Sequence, residues 1–169
     1  TVRFSPDGNS VLYLADQQTD DARELYRAAA DGNSQPIRLS QLLPTGRRVY
    51  NYAISPDSSR VVYLADQDTD GLDELYSGTI DGGLLVKLNG QMAGGDVGVV
   101  RFRFTISPDG QRVVYVAQQD TDGIYDLYSV PITGGTAIKL NTLLPAGGDV
   151  SYEIFYISPD SSLVIYRAD

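Results

Sequence analysis

Apolar and polar residues alternate along several short stretches of this chain, and turn-forming residues separate the stretches. In the stretch 49–54, Tyr50, Tyr52 and Ile54 fall on one side and Val49, Asn51 and Ala53 on the other. The same alternation recurs at Phe102, Phe104 and Ile106. A period of two residues predicts β-strands, and no stretch shows a sustained helical period. The pattern therefore predicts an all-β fold.

The strands belong to a repeat that is marked by the tripeptide Ser-Pro-Asp. It begins at Ser5, Ser55, Ser107 and Ser158, at spacings of 50, 52 and 51 residues. These three residue types suit the first three places of a type I turn. The fourth place holds Gly8, Ser58, Gly110 or Ser161, and this alternation predicts a turn that does not need a positive φ there.

Each repeat contains the signals of four short strands. In the second repeat, 49–54 is followed by Val61–Ala65, Glu74–Ser77 and Leu85–Leu88, with a tight Asp-Gly-Gly hairpin at 81–83 before the last strand. Four antiparallel strands without a helix are typical of a β-propeller blade. The chain divides into blades at about 1–47, 48–98 and 99–149, with a partial blade at 150–169. We expect one domain, 1–169, of about three and a half blades that form an open segment of a longer propeller or repeat array.

The repeat resembles the TolB-like, WD-like β-propeller repeat along essentially the whole chain. The resemblance rests on the Ser-Pro-Asp-Gly turn, the acidic loop, the Leu75-Tyr76 strand and the Asp-Gly-Gly hairpin before Lys87-Leu88. Tryptophan is absent, so the Trp-Asp signature of true WD repeats is missing. The family includes periplasmic adaptor proteins, cell-surface propellers and the propeller halves of serine peptidases. The resemblance therefore implies a propeller in a periplasmic, cell-surface or extracellular location.

The composition disfavours several classes of function. A net charge of −9 disfavours nucleic acids and anionic membranes, which bind lysine and arginine patches. With no histidine and no cysteine, the chain cannot supply a Ser-His-Asp or Cys-His centre, and we expect no enzyme. No apolar run is long enough for membrane insertion or a signal peptide. Because Thr1 opens directly in a strand, we expect that the chain was cut from a longer precursor.

Strand order predicts which loops are neighbours. In an antiparallel blade, the loop after the second strand and the connection to the next blade lie on one face, and the Ser-Pro-Asp turns lie on the other. The first of these faces is longer, more varied and more acidic, and such loops often carry the function of a rigid scaffold. The interaction face is therefore predicted to include Asp16, Asp20, Asp68, Asp70, Asp96, Asp120, Asp122 and Asp149.

One acidic loop matches the start of a calcium-binding loop. Asp66, Asp68 and Asp70 occupy places one, three and five, and Gly71 occupies place six. Position twelve, where such a loop carries a glutamate, is Ser77, although Glu74 occupies position nine. The alternative is a hairpin loop built by turn-forming side chains, since a Thr-Asp pair recurs in every complete repeat. We expect no cofactor other than this possible calcium ion.

Two further sets of residues recur at fixed places in the repeat. The tyrosines at 13, 63, 115 and 166 could form an aromatic sugar-binding platform, but their regular place favours packing between blades. The acids before each Leu-Tyr pair could act as general acids, but their recurrence favours structural ion pairs with the basic residues of the fourth strand. The predicted pairs are Glu24 with Arg38, Glu74 with Lys87, and Asp126 with Lys139.

The sequence thus favours a non-enzymatic binding or scaffold module that contacts a protein partner through its acidic loops. One alternative is the propeller domain of a larger peptidase or glycosidase whose catalytic part lies elsewhere. Another is a calcium-stabilised surface repeat protein. Open blade edges also predict self-association, because unpaired strands recruit partners.

Overall fold

The computed structural model describes residues 1–93, 99–145 and 147–169, and these residues form fourteen strands. Within these ranges no helix is long and apolar enough to cross a membrane. The strands are β1 (Val2–Phe4), β2 (Ser10–Ala15), β3 (Glu24–Ala29), β4 (Ile37–Arg38), β5 (Val49–Ile54), β6 (Arg60–Ala65), β7 (Glu74–Thr79), β8 (Leu85–Lys87), β9 (Val99–Ile106), β10 (Arg112–Ala117), β11 (Asp126–Pro131), β12 (Ile138–Lys139), β13 (Val150–Ile157) and β14 (Val164–Ala168). The predicted all-β fold is confirmed.

The strands form four antiparallel sheets, each in simple sequence order. Sheets β1–β4, β5–β8 and β9–β12 are four-stranded and form blades 1, 2 and 3, whereas β13 and β14 form the two-stranded blade 4. In blade 2 the register places Tyr52 opposite Tyr63, Tyr63 opposite Tyr76 and Tyr76 opposite Lys87. A row of aromatic rings therefore crosses the blade and ends at a cation on the outer strand.

The first strand of blade 2 is less regular than its alternation predicts. Its register with β6 shifts between Val49 and Asn51, which indicates a β-bulge. A bulge inserts an extra residue and reverses the side to which the preceding side chains point. Tyr50 accordingly packs with the blade 2–blade 3 core, whereas Tyr52 and Ile54 pack with the blade 1–blade 2 core. The prediction that all three share one face is therefore wrong for Tyr50.

The Ser-Pro-Asp turns differ from the prediction at their fourth residue. The amide of each fourth residue donates to the serine carbonyl at 2.8–2.9 Å, as the predicted turn requires. However, all four of these residues have a positive φ: 74° at Gly8, 60° at Ser58, 72° at Gly110 and 61° at Ser161. A type I turn between paired strands is followed by this left-handed residue because it matches the strand twist, so the prediction that no positive φ is needed there is wrong.

The two serines compensate for their strained backbone by bonding to the preceding blade. The amide of Asp7 donates to Ser58 Oγ at 3.1 Å, and the amide of Asp109 donates to Ser161 Oγ at 3.0 Å. These bonds link blade 1 to blade 2 and blade 3 to blade 4. A serine at this place therefore connects neighbouring blades, which glycine cannot do.

The apolar core consists of three clusters, and each lies between two adjacent blades. The apolar pattern of the strands predicts that ten aligned residues of blades 2 and 3 are buried between sheets, and two of these, Ile54 and Ile106, are only half-buried. The others are buried as predicted: Tyr52, Val62, Leu64, Leu75, Phe104, Val114, Val116 and Leu127.

Candidate functional site

The acidic loops and the connections between blades meet on one face, as the strand order predicts. The acidic loops, which follow the second strand of each complete blade, span 16–23, 66–73 and 118–125. At each junction the first residue of the next blade's first strand donates its amide to a backbone carbonyl in the acidic loop of the preceding blade. These bonds join Val49 to Arg23 at 2.7 Å, Val99 to Asp73 at 2.8 Å and Val150 to Tyr125 at 2.9 Å. We call this surface the acidic-loop face.

A tight turn forms the tip of every acidic loop. The amides of Ala22, Leu72 and Ile124 donate to the carbonyls of Thr19, Thr69 and Thr121 at 3.1–3.2 Å. The third turn residue has a positive φ, 57° at Asp21, 73° at Gly71 and 76° at Gly123, which glycine and aspartate tolerate best. The second turn residues are the exposed Asp20, Asp70 and Asp122. Each complete blade thus presents one carboxylate at an equivalent place on this face.

Asp66, the first calcium candidate, is a structural residue of the loop. Its side chain is buried, and its Oδ1 and Oδ2 accept bonds from the Arg48 amide at 2.8 Å and the Tyr50 hydroxyl at 3.0 Å. Arg47 adds bonds to the carbonyls of Asp66 and Gln67 at 3.2 and 3.0 Å. Asp66 therefore fixes the connection that enters blade 2. The sequence reasoning missed these partners, although a pair of arginines in the connection was an available signal.

Two of the other calcium candidates, Asp68 and Glu74, share a lysine. Lys87 Nζ lies 3.2 Å from Asp68 Oδ2 and forms an ion pair with Glu74, which is buried. Burial lowers the pKa of Lys87, but hydrogen bonds and charge from Glu74 and Asp68 outweigh this effect and raise the pKa above 10.5. The lysine ammonium thus lies between the carboxylates that a calcium ion would need.

The predicted acid–base pairing recurs in all three complete blades. Arg38 lies 3.7 Å from Glu24, and Lys139 lies 2.7 Å from Asp126 and 3.4 Å from Asp120. Glu24 and Asp126 are buried. The recurring acids are therefore neutralised by a cation on the outer strand, which matches a structural role better than that of a general acid.

The remaining acids of the predicted interaction face have different surroundings. Asp149 is half-buried and accepts a bond from the Tyr125 amide at 2.6 Å. Asp96 lies outside the described residues. The exposed members of the set are Asp16, Asp20, Asp68, Asp70, Asp120 and Asp122.

Calcium remains a hypothesis, and its removal is a direct test. The described residues contain no group of three or more acidic, histidine or cysteine side chains placed to hold a metal. Because Lys87 already supplies a cation to Asp68 and Glu74, we expect a chelator to leave the melting temperature of the chain unchanged. Differential scanning calorimetry with and without chelator measures this. A large decrease that calcium reverses would instead identify Asp66, Asp68, Asp70 and Glu74 as candidate ligands.

Each complete blade contains one pair of stacked tyrosine rings. The ring centroids are 5.7 Å apart for Tyr13 and Tyr26, 5.4 Å for Tyr63 and Tyr76, and 5.6 Å for Tyr115 and Tyr128. The rings of Tyr63, Tyr76, Tyr115 and Tyr128 are buried in clusters between blades, and the packing prediction is therefore confirmed for Tyr63 and Tyr115. They are therefore not available as a sugar-binding platform.

The three complete blades differ at the hydroxyl of the second tyrosine in each pair. Tyr26 and Tyr76 donate to Glu24 and Glu74 at 2.6 and 3.0 Å. In blade 3 the acid is Asp126, which is one methylene shorter and binds Lys139 and Asn141, at 2.7 Å each. The buried Tyr128 hydroxyl forms no hydrogen bond of normal geometry with any described residue. Burial raises the pKa of this hydroxyl most, and the nearby charges of Asp126 and Asp120 raise it further.

This difference predicts unequal effects of removing the hydroxyl. Tyr26→Phe and Tyr76→Phe should each cost about 1.5–3 kcal/mol of unfolding free energy, because each removes a hydrogen bond to a buried carboxylate. Tyr128→Phe is the matched control and should not lower stability, because its buried hydroxyl has no such bond to lose. Urea denaturation of the three variants measures the difference. Equal losses in all three would contradict the assigned bonds.

A cleft of about 620 Å³ opens on the acidic-loop face, beside the acidic loop of blade 2 and the connection that leaves this blade. The charged Glu74 and Lys87 line it together with the apolar Met92. The cleft thus combines charged and apolar groups beside the exposed Asp70. Its remaining lining residues are Thr69, Leu72, Gly90, Gln91 and Ala93.

Comparison with known proteins supports the fold but does not identify a function. No family model and no curated protein matches the chain. Among solved structures, TolB from Acinetobacter baumannii is similar to 96% of the chain, at 21% identity and a TM-score of 0.58, over 36% of its own length. The tricorn protease matches 98% of the chain at 13% identity and a TM-score of 0.66, over 15% of its length. The propeller domain of the Trilobed protease from Pyrococcus furiosus, described as having an open velcro topology, matches 89% at 12% identity and a TM-score of 0.55, over 43% of its length.

These likenesses establish β-propeller blades, as the sequence resemblance predicts. The chain spans only 15–43% of the length of these three structures. They include both TolB and peptidase propellers, so the fold alone does not choose between a binding protein and part of an enzyme.

Proposed function

We propose that the chain is a non-enzymatic binding module that contacts a basic segment of a partner protein through its acidic-loop face. The observation that supports this most directly is the row of exposed carboxylates at Asp20, Asp70 and Asp122. Each lies at the tip of a tight turn on a rigid sheet. Such a preorganised row favours a partner whose lysines or arginines recur at a similar spacing.

The contrast between tip and interior acids supports the same function. The interior acids, such as Glu24 and Asp126, are buried and carry their own basic partners. The tip acids are exposed, and the net charge of −9 leaves the surface with an excess of carboxylates. Long-range attraction from such a face accelerates the association of a basic partner.

The cleft beside Asp70 adds a place for a side chain of the partner. Its walls carry both the Glu74–Lys87 ion pair and the apolar Leu72 and Met92. A long basic side chain can place its charged end near carboxylates and its methylene stem along an apolar wall. A lysine or arginine of the partner is therefore the proposed occupant.

Binding of a lysine-rich synthetic peptide, measured by fluorescence anisotropy, tests the proposal. The triple variant Asp20→Asn, Asp70→Asn, Asp122→Asn should weaken binding about tenfold, since each exposed ion pair contributes about 0.2–1 kcal/mol. The matched control is Asp31→Asn, Asp81→Asn, Asp160→Asn, which removes equal charge from the turns on the other face. It should change binding little. The proposal would be overturned if both triple variants weakened peptide binding equally. It would also be overturned if the lysine-rich peptide bound no more tightly than a peptide whose lysines are replaced by glutamine.

The absence of histidine and cysteine supports the view that this chain is not itself an enzyme. Its likeness to the tricorn and Trilobed proteases keeps a second function open, in which it is the propeller domain of a larger hydrolase. A parent reading frame with a flanking nucleophile motif, such as Gly-x-Ser-x-Gly, would favour that second function.

The proposed location is periplasmic, cell-surface or extracellular, and it rests on the resemblance of the repeat. Detection of the chain in a periplasmic or surface fraction, separate from a cytosolic marker, would support this location. Recovery with the cytosolic marker alone would contradict it.

A further inference from the structure

Blade 1 leaves one apolar sheet side open. Val2 and Phe4 of β1 are each 67% exposed. By their distance from the Ser-Pro-Asp turn, their counterparts in blade 3 are Phe104 and Ile106, which pack against blade 2. We call this open side, formed by Val2, Phe4, Val11 and Tyr13, the head face.

Blade 4 leaves the opposite side of a sheet open. Ile165 of β14 is 65% exposed, whereas its counterpart Val62 is fully buried in the cluster between blades 2 and 3. A shallow groove of about 150 Å³ runs beside Ile165, and Tyr156 and Arg167 help to line it. We call this open side, formed by Ile154, Tyr156, Leu163 and Ile165, the tail face.

The two open faces correspond to the two sides of an interface that the chain already contains. The head face repeats the side that blade 3 presents to blade 2, and the tail face repeats the side that blade 2 presents to blade 3. We propose that the tail face of one copy of this chain docks on the head face of a second copy and reproduces the blade 2–blade 3 interface. A head-to-tail contact of this kind is heterologous.

The charges on the two faces are complementary. Arg167 stands at the place of the buried Leu64, which shares a cluster with Ala117 of the facing blade. The counterpart of Ala117 on the head face is Ala15, and the next residue is the exposed Asp16. The proposed contact therefore brings Arg167 of one copy near an aspartate of the other.

Two such contacts can close a ring of two copies about the propeller axis. Each copy has three four-stranded blades and one two-stranded blade. Two copies thus provide six four-stranded and two two-stranded blades, and these eight sheets lie within the range of closed propellers. In the described residues blade 4 is two-stranded, whereas Leu75 and Leu88 add to the blade 2–blade 3 interface, so the contact between two copies of this 169-residue chain is the smaller one. The dimer should therefore dissociate on dilution.

Sedimentation equilibrium over a range of concentrations tests the proposal on the 169-residue chain. We expect a dimer that dissociates on dilution, and Phe4→Asp and Ile165→Asp should each raise its dissociation constant at least tenfold. Both side chains are exposed, so the circular dichroism spectra and melting temperatures of the variants should match the original chain. The exposed Leu143→Asp, which lies on neither face, is the control and should leave the dimer unchanged.

Mixing the two variants distinguishes a head-to-tail contact from a symmetric one. The tail face of Phe4→Asp and the head face of Ile165→Asp are both intact. An equimolar mixture should therefore form a heterodimer at a concentration at which each variant alone is a monomer. A monomer at every concentration would overturn the proposal and favour further blades of a longer chain as the occupants of both faces. A dimer lost only with Ile165→Asp, without rescue on mixing, would also overturn it, because that result indicates a tail-to-tail contact.

Discussion

Raising the pH above about 10 should unfold the chain, because its buried tyrosines cannot ionise in place. Tyr63, Tyr76 and Tyr115 are at most 2% exposed, and burial raises the pKa of each well above 10.0. In the unfolded chain these hydroxyls lose their protons near pH 10. Above that pH the unfolded state binds fewer protons than the folded state, so the free energy of unfolding falls as the pH rises.

The expected effect is large. Each such tyrosine contributes up to about 1.4 kcal/mol per pH unit, so three give about 4 kcal/mol per unit, against a total of about 5–15 kcal/mol for a typical domain. Lys87 acts in the same direction, because its raised pKa adds stability below pH 10.5 that is lost as the pH rises through the folded-state pKa.

Tyrosinate absorbance and circular dichroism, recorded together from pH 8 to pH 12, measure this transition. The buried tyrosines should ionise together with the loss of strand signal. Gradual ionisation of all tyrosines with an intact strand signal would refute the assigned burial.

Leu75→Ala should cost roughly 2–5 kcal/mol of unfolding free energy, because it leaves a cavity in the cluster between blades 2 and 3. Leu75 is fully buried, and its counterparts Leu25 and Leu127 occupy the same place in blades 1 and 3. Chemical denaturation with urea measures the loss.

The matched control for this substitution is Leu143→Ala. Leu143 is 97% exposed in the connection to blade 4, so its truncation should change stability by less than about 0.5 kcal/mol. A similarly small effect of Leu75→Ala would show that the assigned strand register is incorrect.

Much of the fold follows from the sequence because the repeat supplies each signal several times. The predicted strand 61–65 corresponds to β6 at Arg60–Ala65, and the predicted strand 74–77 corresponds to β7 at Glu74–Thr79. The ion pair of Glu74 and Lys87 also follows from sequence, because complementary charges recur at fixed places in three blades.

The features that the sequence did not predict depend on contacts between segments. The bulge before Asn51 changes the side of Tyr50, and no local pattern marks it. Likewise, the left-handed backbone at Ser58 is made acceptable by a bond from Asp7, which lies in another blade. The role of Asp66 depends on Arg48 and Tyr50, which belong to a connection and a strand that only the folded chain brings beside it.

The division of the core into three clusters has a consequence for local stability. Blades 2 and 3 each take part in two clusters, whereas blades 1 and 4 each take part in one. In such a linear arrangement, stability is approximately a sum of nearest-neighbour terms, so the ends open at lower free energy than the centre. Amide hydrogens of β6, β7, β10 and β11 should exchange last with solvent deuterium, and those of β1 and β14 first.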